Sequence, residues 1–357
     1  MAYTTASGGR IMQDEVATSF SNDVLHLIVL PTEQCNFRCI YCYEDFSIGT
    51  MKPPVVTGLK RLIAERVPTL RRLHIAWFGG EPLLALNIVK DVSSLAKRLA
   101  AENRRVVYTG EMTTNAFRLD QATAENLYHL GIRQYQITLD GPQELHDRTR
   151  VRRNGAGSFQ QIWANLIGMR ASSLEFKVCL RIHVTPSNFP FMSEFLSRIR
   201  QEFLVDPRFT LLLKAVGRWG GPNDDKIEVF EGAERQLVLD QLTEQAVQGL
   251  NHDVIYQPGE VCYASRPNSL LVRASGEIGK CTVALSDPAN NIGRLLEDGS
   301  LELRNEALQP WLRGWRGDPA ALGCPLVGLP RESGEPVLLQ IGARPATAGL
   351  TDAENSA

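Results

Sequence analysis

Three cysteines lie close together in the sequence, Cys35, Cys39 and Cys42, with the spacing CxxxCxxC. A segment this short can place three thiolates around one iron-sulfur cube and leave its fourth iron without a protein ligand. A structural zinc site is the alternative, but such sites prefer four closed ligands. No fourth cysteine or nearby histidine accompanies the trio. The spacing therefore favours an iron-sulfur cluster with one iron open for chemistry.

A second trio follows much later in the chain, at Cys262, Cys281 and Cys324. Two short apolar runs on either side of residues 274–276 predict a β-hairpin, which brings Cys262 and Cys281 close together. Buried cysteines without a ligand role are the alternative when this trio is considered alone. The presence of the first trio favours a second set of cluster ligands. The seventh cysteine, Cys179, lies in a strand-like run and is expected to be a small buried residue.

A repeating pattern of strands and helices must position these residues. Six apolar runs alternate with amphipathic helical stretches, which is typical of βα units around a parallel sheet. Six units are fewer than the eight that close a TIM barrel, so we expect an open barrel with functional loops at the carboxyl ends of its strands. The predicted strands are 24–30, 73–78, 105–113, 134–139, 176–184 and 209–214.

The length of 357 residues exceeds what one hydrophobic core usually supports, so a small second unit is expected. The predicted fold class is α/β, a partial (β/α)6 TIM-like barrel with a small C-terminal α+β iron-sulfur domain built from a β-hairpin and a helix. The predicted segments are an N-terminal segment 1–22, the barrel 23–225, a helical bridge 226–257, the C-terminal cluster domain 258–335 and a disordered tail 336–357.

The composition argues against several classes of function. The formal net charge is −2 and the sequence pI is about 6.3, so there is no electrostatic case for nucleic acid or an anionic membrane. The sequence contains no apolar run close to the length of about 20 residues that spans a bilayer, and no signal peptide is evident. Clustered cysteines fit a reducing compartment. We therefore expect a cytoplasmic protein that binds neither nucleic acid nor membranes.

The first trio and a glycine pair one βα unit later resemble the signature of radical S-adenosylmethionine (SAM) enzymes. Tyr41 precedes the last cysteine of the trio, and Gly79-Gly80-Glu81-Pro82 resembles the GGEP motif of that family. The resemblance implies that the open iron of a [4Fe-4S] cluster chelates the amino and carboxylate groups of SAM. It also implies that the GGEP residues contact the methionyl amino group. The first trio would then hold the catalytic cluster.

Residues at the ends of the third and fourth predicted strands extend this resemblance. The runs at 113–115 and 138–141, followed by Arg150, are similar to elements of the peptide-modifying branch of the family. By that resemblance Thr138 and Arg150 contact the ribose and carboxylate of SAM, with Asn115 and Asp140 at the same mouth. Arg181 is a further candidate, because strand alternation allows it to point into the barrel.

The region around the second trio resembles a SPASM or twitch domain, the C-terminal extension that carries auxiliary clusters in the family. The full SPASM pattern has seven cysteines and two auxiliary clusters, whereas this region has only three cysteines. The resemblance therefore implies one auxiliary [4Fe-4S] cluster on Cys262, Cys281 and Cys324, and two clusters in total. The auxiliary cluster would have an open iron or a fourth ligand other than cysteine.

The chemistry implied by the resemblance is reductive cleavage of SAM to a 5′-deoxyadenosyl radical, which abstracts hydrogen from an unactivated carbon. Family members with such a C-terminal domain mostly act on peptides. Our first hypothesis is therefore a maturase that modifies a ribosomally made precursor peptide (RiPP), by a carbon–carbon or thioether crosslink. Two alternatives stay open: a twitch-type enzyme that acts on a small molecule, and a non-catalytic iron-sulfur electron carrier.

The resemblance also implies partners. A precursor peptide is the expected substrate, and a flavodoxin- or ferredoxin-type protein is the expected one-electron reductant. Many maturases have an N-terminal domain that binds the leader of the precursor, and the residues before Val24 are too few to form it. The leader is therefore expected to dock on the barrel or on a separate leader-binding protein.

Overall fold

The computed structural model describes residues 13–250, 252–256 and 259–329. The helices are α1 Gln13–Phe20, α2 Pro53–Arg66, α3 Leu86–Glu102, α4 Gln121–His129, α5 Gln143–Thr149, α6 Phe159–Ala171, α7 Met192–Ile199, α8 Gly232–Val247, α9 Asn305–Leu308 and α10 Ala320–Gly323. The strands are β1 Val24–Val29, β2 Phe37–Cys39, β3 Arg72–Trp77, β4 Val107–Thr114, β5 Ile132–Leu139, β6 Arg150–Arg152, β7 Lys177–Val184, β8 Phe209–Ala215, β9 Ser269–Val272, β10 Glu277–Gly279, β11 Gly293–Leu295 and β12 Leu301–Leu303.

The barrel strands pair in parallel in the order β1-β3-β4-β5-β7-β8, which confirms the predicted α/β fold. Strand alternation separates the two faces of the sheet. In β1, Leu25, Leu27 and Val29 are buried in the main hydrophobic core. His26 and Ile28 line the cavity inside the barrel. The apolar face therefore packs on the helices, and the inner face is free to carry polar groups.

The helices cover the outer face of the sheet with the apolar stripes that their periodicity predicts. In α3, Ile88, Val92 and Ala96 are all buried. Helix α4 begins after Asp120, whose carboxylate accepts a hydrogen bond of 2.8 Å from the backbone N–H of Thr123. Such a cap satisfies a donor that the first helical turn leaves free. Each helix thus closes a βα unit and leads the chain back to the sheet.

The predicted C-terminal hairpin is present as β9 and β10, and it continues the barrel sheet. Strand β9 pairs in parallel with β1, on the edge opposite to β3. Strands β10, β11 and β12 follow in antiparallel order and give a sheet of ten strands. Gly276 has a φ of +86° in the turn between β9 and β10, a conformation that glycine adopts without steric cost. The C-terminal unit is therefore hydrogen-bonded to the barrel through main-chain atoms.

The other predicted segments have different outcomes. The bridge contains α8, which packs against α7 and β8 on the outside of the barrel. The tail 336–357 lies outside the described residues, as do the first twelve residues of segment 1–22. The exact boundaries of all segments stay predictions. Across the described ranges, each helix is too short or too polar to cross a lipid bilayer.

A buried ion pair connects the hairpin with the segment that leads into the first trio. Arg273, at the start of the hairpin turn, donates hydrogen bonds of 2.6 and 3.3 Å to the two carboxylate oxygens of Glu33. The backbone N–H of Ala274 donates to the same carboxylate at 3.2 Å. The side chain of Glu33 is only 5% exposed. Because Glu33 is two residues before Cys35, this pair holds the first trio against the C-terminal unit.

Replacement of Arg273 by Met should destabilise the fold, because it leaves the buried Glu33 carboxylate without its counter-ion. We expect the free energy of unfolding to fall by about 3 kcal/mol, measured by thermal or urea unfolding of the anaerobically purified protein. Arg294, exposed on β11, provides the control variant Arg294→Met. The double variant Glu33→Gln/Arg273→Met should recover part of the loss. Equal losses in Arg273→Met and Arg294→Met would contradict the structural role of this pair.

Candidate active site

The first trio lies in the loop that follows β1, at the carboxyl edge of the sheet. All three cysteines are half-buried. The short strand β2 runs through this loop and pairs with β6, so that Cys39 lies opposite Arg150. Phe37 of β2 is buried in the core and anchors the loop. Backbone pairing and one aromatic anchor therefore hold the cysteine loop over the barrel mouth.

The first trio lies in a buried environment that disfavours free thiolates, because burial raises the pKa of all three thiols. Burial raises the pKa of Cys39, and burial together with Glu44 and Cys39 raises the pKa of Cys42 to about 12. Three thiolates in this environment require a compensating cation. The donor set therefore fits a [4Fe-4S] cluster.

The glycine pair makes close approach to the cysteine loop possible. Gly79 has a φ of +106°, and a Cβ there would collide with the carbonyl oxygen of Thr32. A Cβ on Gly80 would lie 2.5 Å from the carbonyl oxygen of Gln34. Both glycines also line the cavity inside the barrel. Their immediate role is thus to let two backbone segments meet directly before Cys35.

Glu81 joins two of the predicted motifs by hydrogen bonds. Its carboxylate accepts from the backbone N–H of Asn115 at 2.7 Å, from the Thr114 hydroxyl at 2.8 Å and from the backbone N–H of Leu83 at 3.0 Å. The side chain is fully buried. Asn115 in turn donates to Asn36 at 2.8 Å. Glu81 therefore organises the loops that surround the cysteines, while Asn115 also lines the cavity.

Tyr41, Asp140 and Arg150 form one hydrogen-bonded network. Arg150 donates to the Tyr41 hydroxyl at 2.8 Å, and this hydroxyl donates to Asp140 Oδ1 at 2.9 Å. Thr149 donates to Asp140 Oδ2 at 2.6 Å. Although burial alone would raise it, the pKa of Asp140 is held below its usual range by the hydrogen bond and charge of His183 and by Arg150. The network therefore fixes Arg150 beside the cysteines and keeps Asp140 ionised.

His146 and Asp147 of α5 have a local structural role. His146 accepts a hydrogen bond of 3.3 Å from the backbone N–H of Asp140. The carboxylate of Asp147 accepts from the backbone N–H groups of Ser158 and Phe159, at 2.7 and 2.9 Å. These bonds fix the turn after β5 and the start of α6. They hold Asp140 in position from behind the cavity wall.

A cavity of about 550 Å³ inside the barrel brings the predicted site residues together. The lining includes most of the candidates, namely Cys35, Cys39, Tyr41, Cys42, Gly79, Gly80, Asn115, Thr138, Arg150 and Arg181. Arg150 Nε and Arg181 Nε are both buried without a hydrogen-bond partner among the described residues. Two such guanidinium donors suit a carboxylate ligand. The cavity thus fits a small cofactor that carries a carboxylate, such as SAM, whereas Glu81 and Asp140 act from behind its wall.

Several other cavity residues were not predicted as site residues. His26, Glu111, Gln136 and Tyr256 all line the cavity. A signal for the first three was available, because each is a polar residue within a predicted strand. Tyr256 lies near the end of the predicted bridge, and its position depends on an isolated pairing of the neighbouring Ile255 with β8.

Lys214 and Trp219 also line the cavity, near the end of β8. Burial lowers the pKa of Lys214, as do the neighbouring charges of Arg181 and Arg235. Arg218, in contrast, donates to the backbone carbonyls of Asp224 and Ile227, at 3.0 and 3.1 Å. The cationic contribution of this strand end to the cavity therefore comes from Lys214.

The second trio is assembled as the hairpin prediction required. Burial and the nearby thiols of Cys281 and Cys324 raise the pKa of Cys262 to about 11. The backbone N–H of Cys262 donates to the carbonyl of Leu322 at 2.8 Å. Asn290 accepts from the backbone N–H of Cys281 at 2.9 Å and donates to its carbonyl at 2.8 Å. The three cysteines therefore lie near one another, and Cys324 is the exposed member.

The comparisons with known proteins agree with this geometry. Residues 29–189 match the family model described as the Radical SAM superfamily. This segment is a radical SAM domain. It contains the cysteine loop, the glycine pair and the network around Asp140, and its carboxyl end reaches the short connection before α7.

Relatives of the radical SAM domain include different enzymes. A cysteine-type anaerobic sulfatase-maturating enzyme of Clostridium novyi is 28% identical over 169 residues, which are 43% of this chain and 42% of the relative. A GTP 3′,8-cyclase of Rhizobium etli is 28% identical over 164 residues, 44% of each chain. The chain thus spans less than half the length of these two relatives.

The solved structure of native anSMEcpe with bound AdoMet and Kp18Cys peptide is similar in fold. It has a TM-score of 0.60 and 17% sequence identity, with 81% of this chain and 84% of that chain covered. The likeness therefore extends beyond the radical SAM domain to the C-terminal unit, and it supports the predicted architecture.

Replacement of Gly80 by Ala should disturb the cysteine loop, because the new Cβ would meet rigid backbone atoms of Gln34. We expect a loss of about 1–3 kcal/mol in the free energy of unfolding and weaker retention of iron by the first trio. Gly49→Ala is the matched control, since a Cβ there meets no atom within 4 Å. Thermal unfolding and iron analysis check both effects. Unchanged behaviour of Gly80→Ala would mean that the loop can move away without cost.

Proposed function

We propose that the chain is a radical SAM enzyme in which Cys35, Cys39 and Cys42 hold a [4Fe-4S] cluster that binds SAM. One observation carries the proposal. A single cavity of about 550 Å³ is lined by three half-buried thiols and by two arginines whose buried Nε atoms have no hydrogen-bond partner among the described residues. When bound, the cluster and SAM supply hydrogen-atom abstraction from an unactivated carbon. A non-catalytic electron carrier would need the thiols, but it has no use for the two arginines at the same cavity.

The protein residues bind and orient the cofactor in this proposal. Arg150 and Arg181 offer guanidinium donors to the SAM carboxylate, and bidentate pairs of this kind fix orientation as well as position. Thr138, which lies beside Arg181 in the register of β5 and β7, offers a hydroxyl to the ribose. Tyr41 holds Arg150 in place, because its hydroxyl connects Arg150 with Asp140.

The other candidates shape the site. Gly79 and Gly80 have no side chains, which leaves room at the cavity wall for the methionyl end of SAM. Asn115 connects the end of β4 with the cysteine loop through its hydrogen bond to Asn36. Glu81 acts through Asn115 and does not itself face the cavity. The barrel walls exclude bulk water from the reacting carbon, which protects a reactive intermediate from side reactions.

Cys262, Cys281 and Cys324 hold an auxiliary [4Fe-4S] cluster in this proposal. Cys262 is half-buried and Cys281 is buried, as suits ligands of a group held inside the C-terminal unit. Burial raises the pKa of Cys281, while hydrogen bonds from the backbone of Val283 and Ala284 oppose that shift. Such backbone donors stabilise thiolate ligands. An exposed Cys324 leaves room for a fourth ligand from outside the trio.

The proposed substrate is a ribosomally made precursor peptide, modified by a carbon–carbon or thioether crosslink. The solved structure with a bound peptide is one support, and it concerns the fold. The second support is space. SAM would take a large share of the 550 Å³ cavity, and the remainder suits a peptide side chain better than a second large molecule. A flavodoxin- or ferredoxin-type reductant and a separate leader-binding protein complete the proposal.

A small-molecule substrate is the second candidate, and one observation favours it. The GTP 3′,8-cyclase of Rhizobium etli matches this chain as well as the sulfatase-maturating enzyme does, at 28% identity. In this case the polar inner face of the barrel would bind the substrate directly. The precursor peptide remains the first proposal, because the likeness to the peptide-bound structure covers 81% of this chain.

Iron analysis after anaerobic reconstitution tests the cluster assignments. Wild-type protein should hold about eight irons per chain, and replacement of the first trio or of the second trio by Ala should each leave about four. With SAM and dithionite, 5′-deoxyadenosine should form in wild type and after loss of the second trio, but not after loss of the first. Stoichiometric zinc with no SAM cleavage would refute the proposal.

A substrate comparison tests the peptide assignment. Wild-type enzyme with SAM and reductant is incubated with short peptides encoded beside its gene, or with GTP, and products are analysed by mass spectrometry. A crosslink within a peptide should appear as the loss of two hydrogen atoms, with GTP unchanged. The Cys35→Ala variant is the control without SAM cleavage. Conversion of GTP with unmodified peptides would transfer the assignment to the small-molecule candidate.

A further inference from the structure

Four polar residues form one row across the inner face of the sheet. The strand register places His26 of β1 beside His74 of β3 and Ser269 of β9, and His74 beside Thr109 of β4. Each histidine uses its Nδ1 atom within this row. His26 Nδ1 lies 3.0 Å from the Ser269 hydroxyl, and His74 Nδ1 lies 2.7 Å from the Thr109 hydroxyl. The two hydroxyls therefore fix both imidazole rings and leave both Nε2 atoms available.

A carboxylate lies beside these two histidines. His74 Nε2 is 3.3 Å from Glu111 Oε2. One ligand atom from each of His26, His74 and Glu111 lies within 4.8 Å of the other two, and the two imidazole centroids are 4.8 Å apart. Across the described residues, this is the one group of three histidine, cysteine or acidic side chains with such spacing.

A hydrogen bond between His74 and Glu111 does not account for the whole group. It leaves His26 Nε2 buried without a hydrogen-bond partner in the described part of the chain. Buried polar atoms of this kind are rare, and an unobserved ion or water is a common explanation. Because the group is built from two imidazoles and one carboxylate, an ion explains all three orientations together.

We propose that His26, His74 and Glu111 bind one divalent first-row transition metal ion inside the barrel. Two imidazole nitrogens and one carboxylate oxygen are the donors that suit Zn²⁺ or Fe²⁺ with open coordination positions. Histidine ligands of metals usually engage their second ring nitrogen in a hydrogen bond, as the hydroxyls of Ser269 and Thr109 allow here. The site is separate from both cysteine trios and has no sulfur ligand.

The site opens toward the cavity that also contains the first trio, since His26 and Glu111 both line it. Three residues separate His26 from the carboxyl end of β1, which is a distance of about 10 Å along a strand. The open coordination positions of the ion would thus face the cavity from below the cysteine loop, where water or another oxygen donor can occupy them.

Zinc binding by the full-length protein with its iron-sulfur clusters reconstituted tests the proposal. Zn²⁺ is the probe, titrated anaerobically against a competing chelator, with zinc, iron and sulfide measured on the same samples. We expect one zinc per wild-type chain, and at least tenfold weaker binding in His26→Gln and in Glu111→Gln at unchanged iron content. His129→Gln, at the exposed end of α4, should bind zinc as wild type does.

Two further measurements keep the result independent of folding and of the cysteines. Ser269→Ala retains all three ligands and removes only the partner of His26 Nδ1, so zinc affinity should fall about tenfold. X-ray absorption at the zinc edge should show nitrogen and oxygen neighbours without sulfur. Sulfur neighbours, equal zinc affinity in wild type and His26→Gln, or the absence of zinc binding by wild type would each overturn the proposal. Iron content separates these outcomes from a failure of the proposed radical SAM function.

Discussion

Strand β1 is hydrogen-bonded on both edges, and the rest of the site depends on this arrangement. Its pairing with β3 builds the barrel, and its pairing with β9 attaches the C-terminal unit. The loop after β1 carries the first trio, and the hairpin that starts with β9 lies between Cys262 and Cys281 of the second trio. The ion pair of Glu33 with Arg273 joins the same two segments beyond the strand ends. A register slip of one residue in β1 would turn His26 and Ile28 to the outer face.

The inner face of the barrel is unusually polar for a buried sheet, and most of its charge is compensated by neighbours. Asp140 receives hydrogen bonds from Tyr41 and Thr149 and lies 3.4 Å from His183. Because buried polar atoms without partners are costly, the Nε atoms of Arg150 and Arg181 are informative, since neither has a hydrogen-bond partner among the described residues. The carboxylate of a bound cofactor would satisfy them.

Within the described residues, some side chains line the cavity, and others lie behind them and hold them in place by hydrogen bonds. Gly80 lies at the wall, while Glu81 turns away and accepts three hydrogen bonds from the adjoining loops. The short turn after β3 therefore contains residues of both kinds, since Gly79 and Gly80 line the cavity and Glu81 does not. The same division occurs at residues 138–147, where Thr138 faces the cavity and Asp147 caps the start of α6.

Much of this architecture could be predicted from the sequence, because the decisive patterns are short-range. Strand alternation and helical periodicity are properties of neighbouring residues, so six strands were located to within one or two residues. The spacing of Cys35, Cys39 and Cys42 and the glycine pair at 79–80 are equally local signals. They predict the class of metal group, and they place the cysteine loop at the carboxyl edge of the sheet.

The tertiary structure decided what depends on contacts between distant segments. The parallel pairing of β9 with β1 joins residues more than 240 positions apart, and no local pattern encodes that partner. Strand order and register likewise determine that Arg181 lines the cavity and that Glu81 is buried. They also bring His26, His74 and Glu111 together. Sequence alone identifies which residues are suited to a site, whereas only the packed sheet determines which of them come together, because proximity across strands is set by the whole fold.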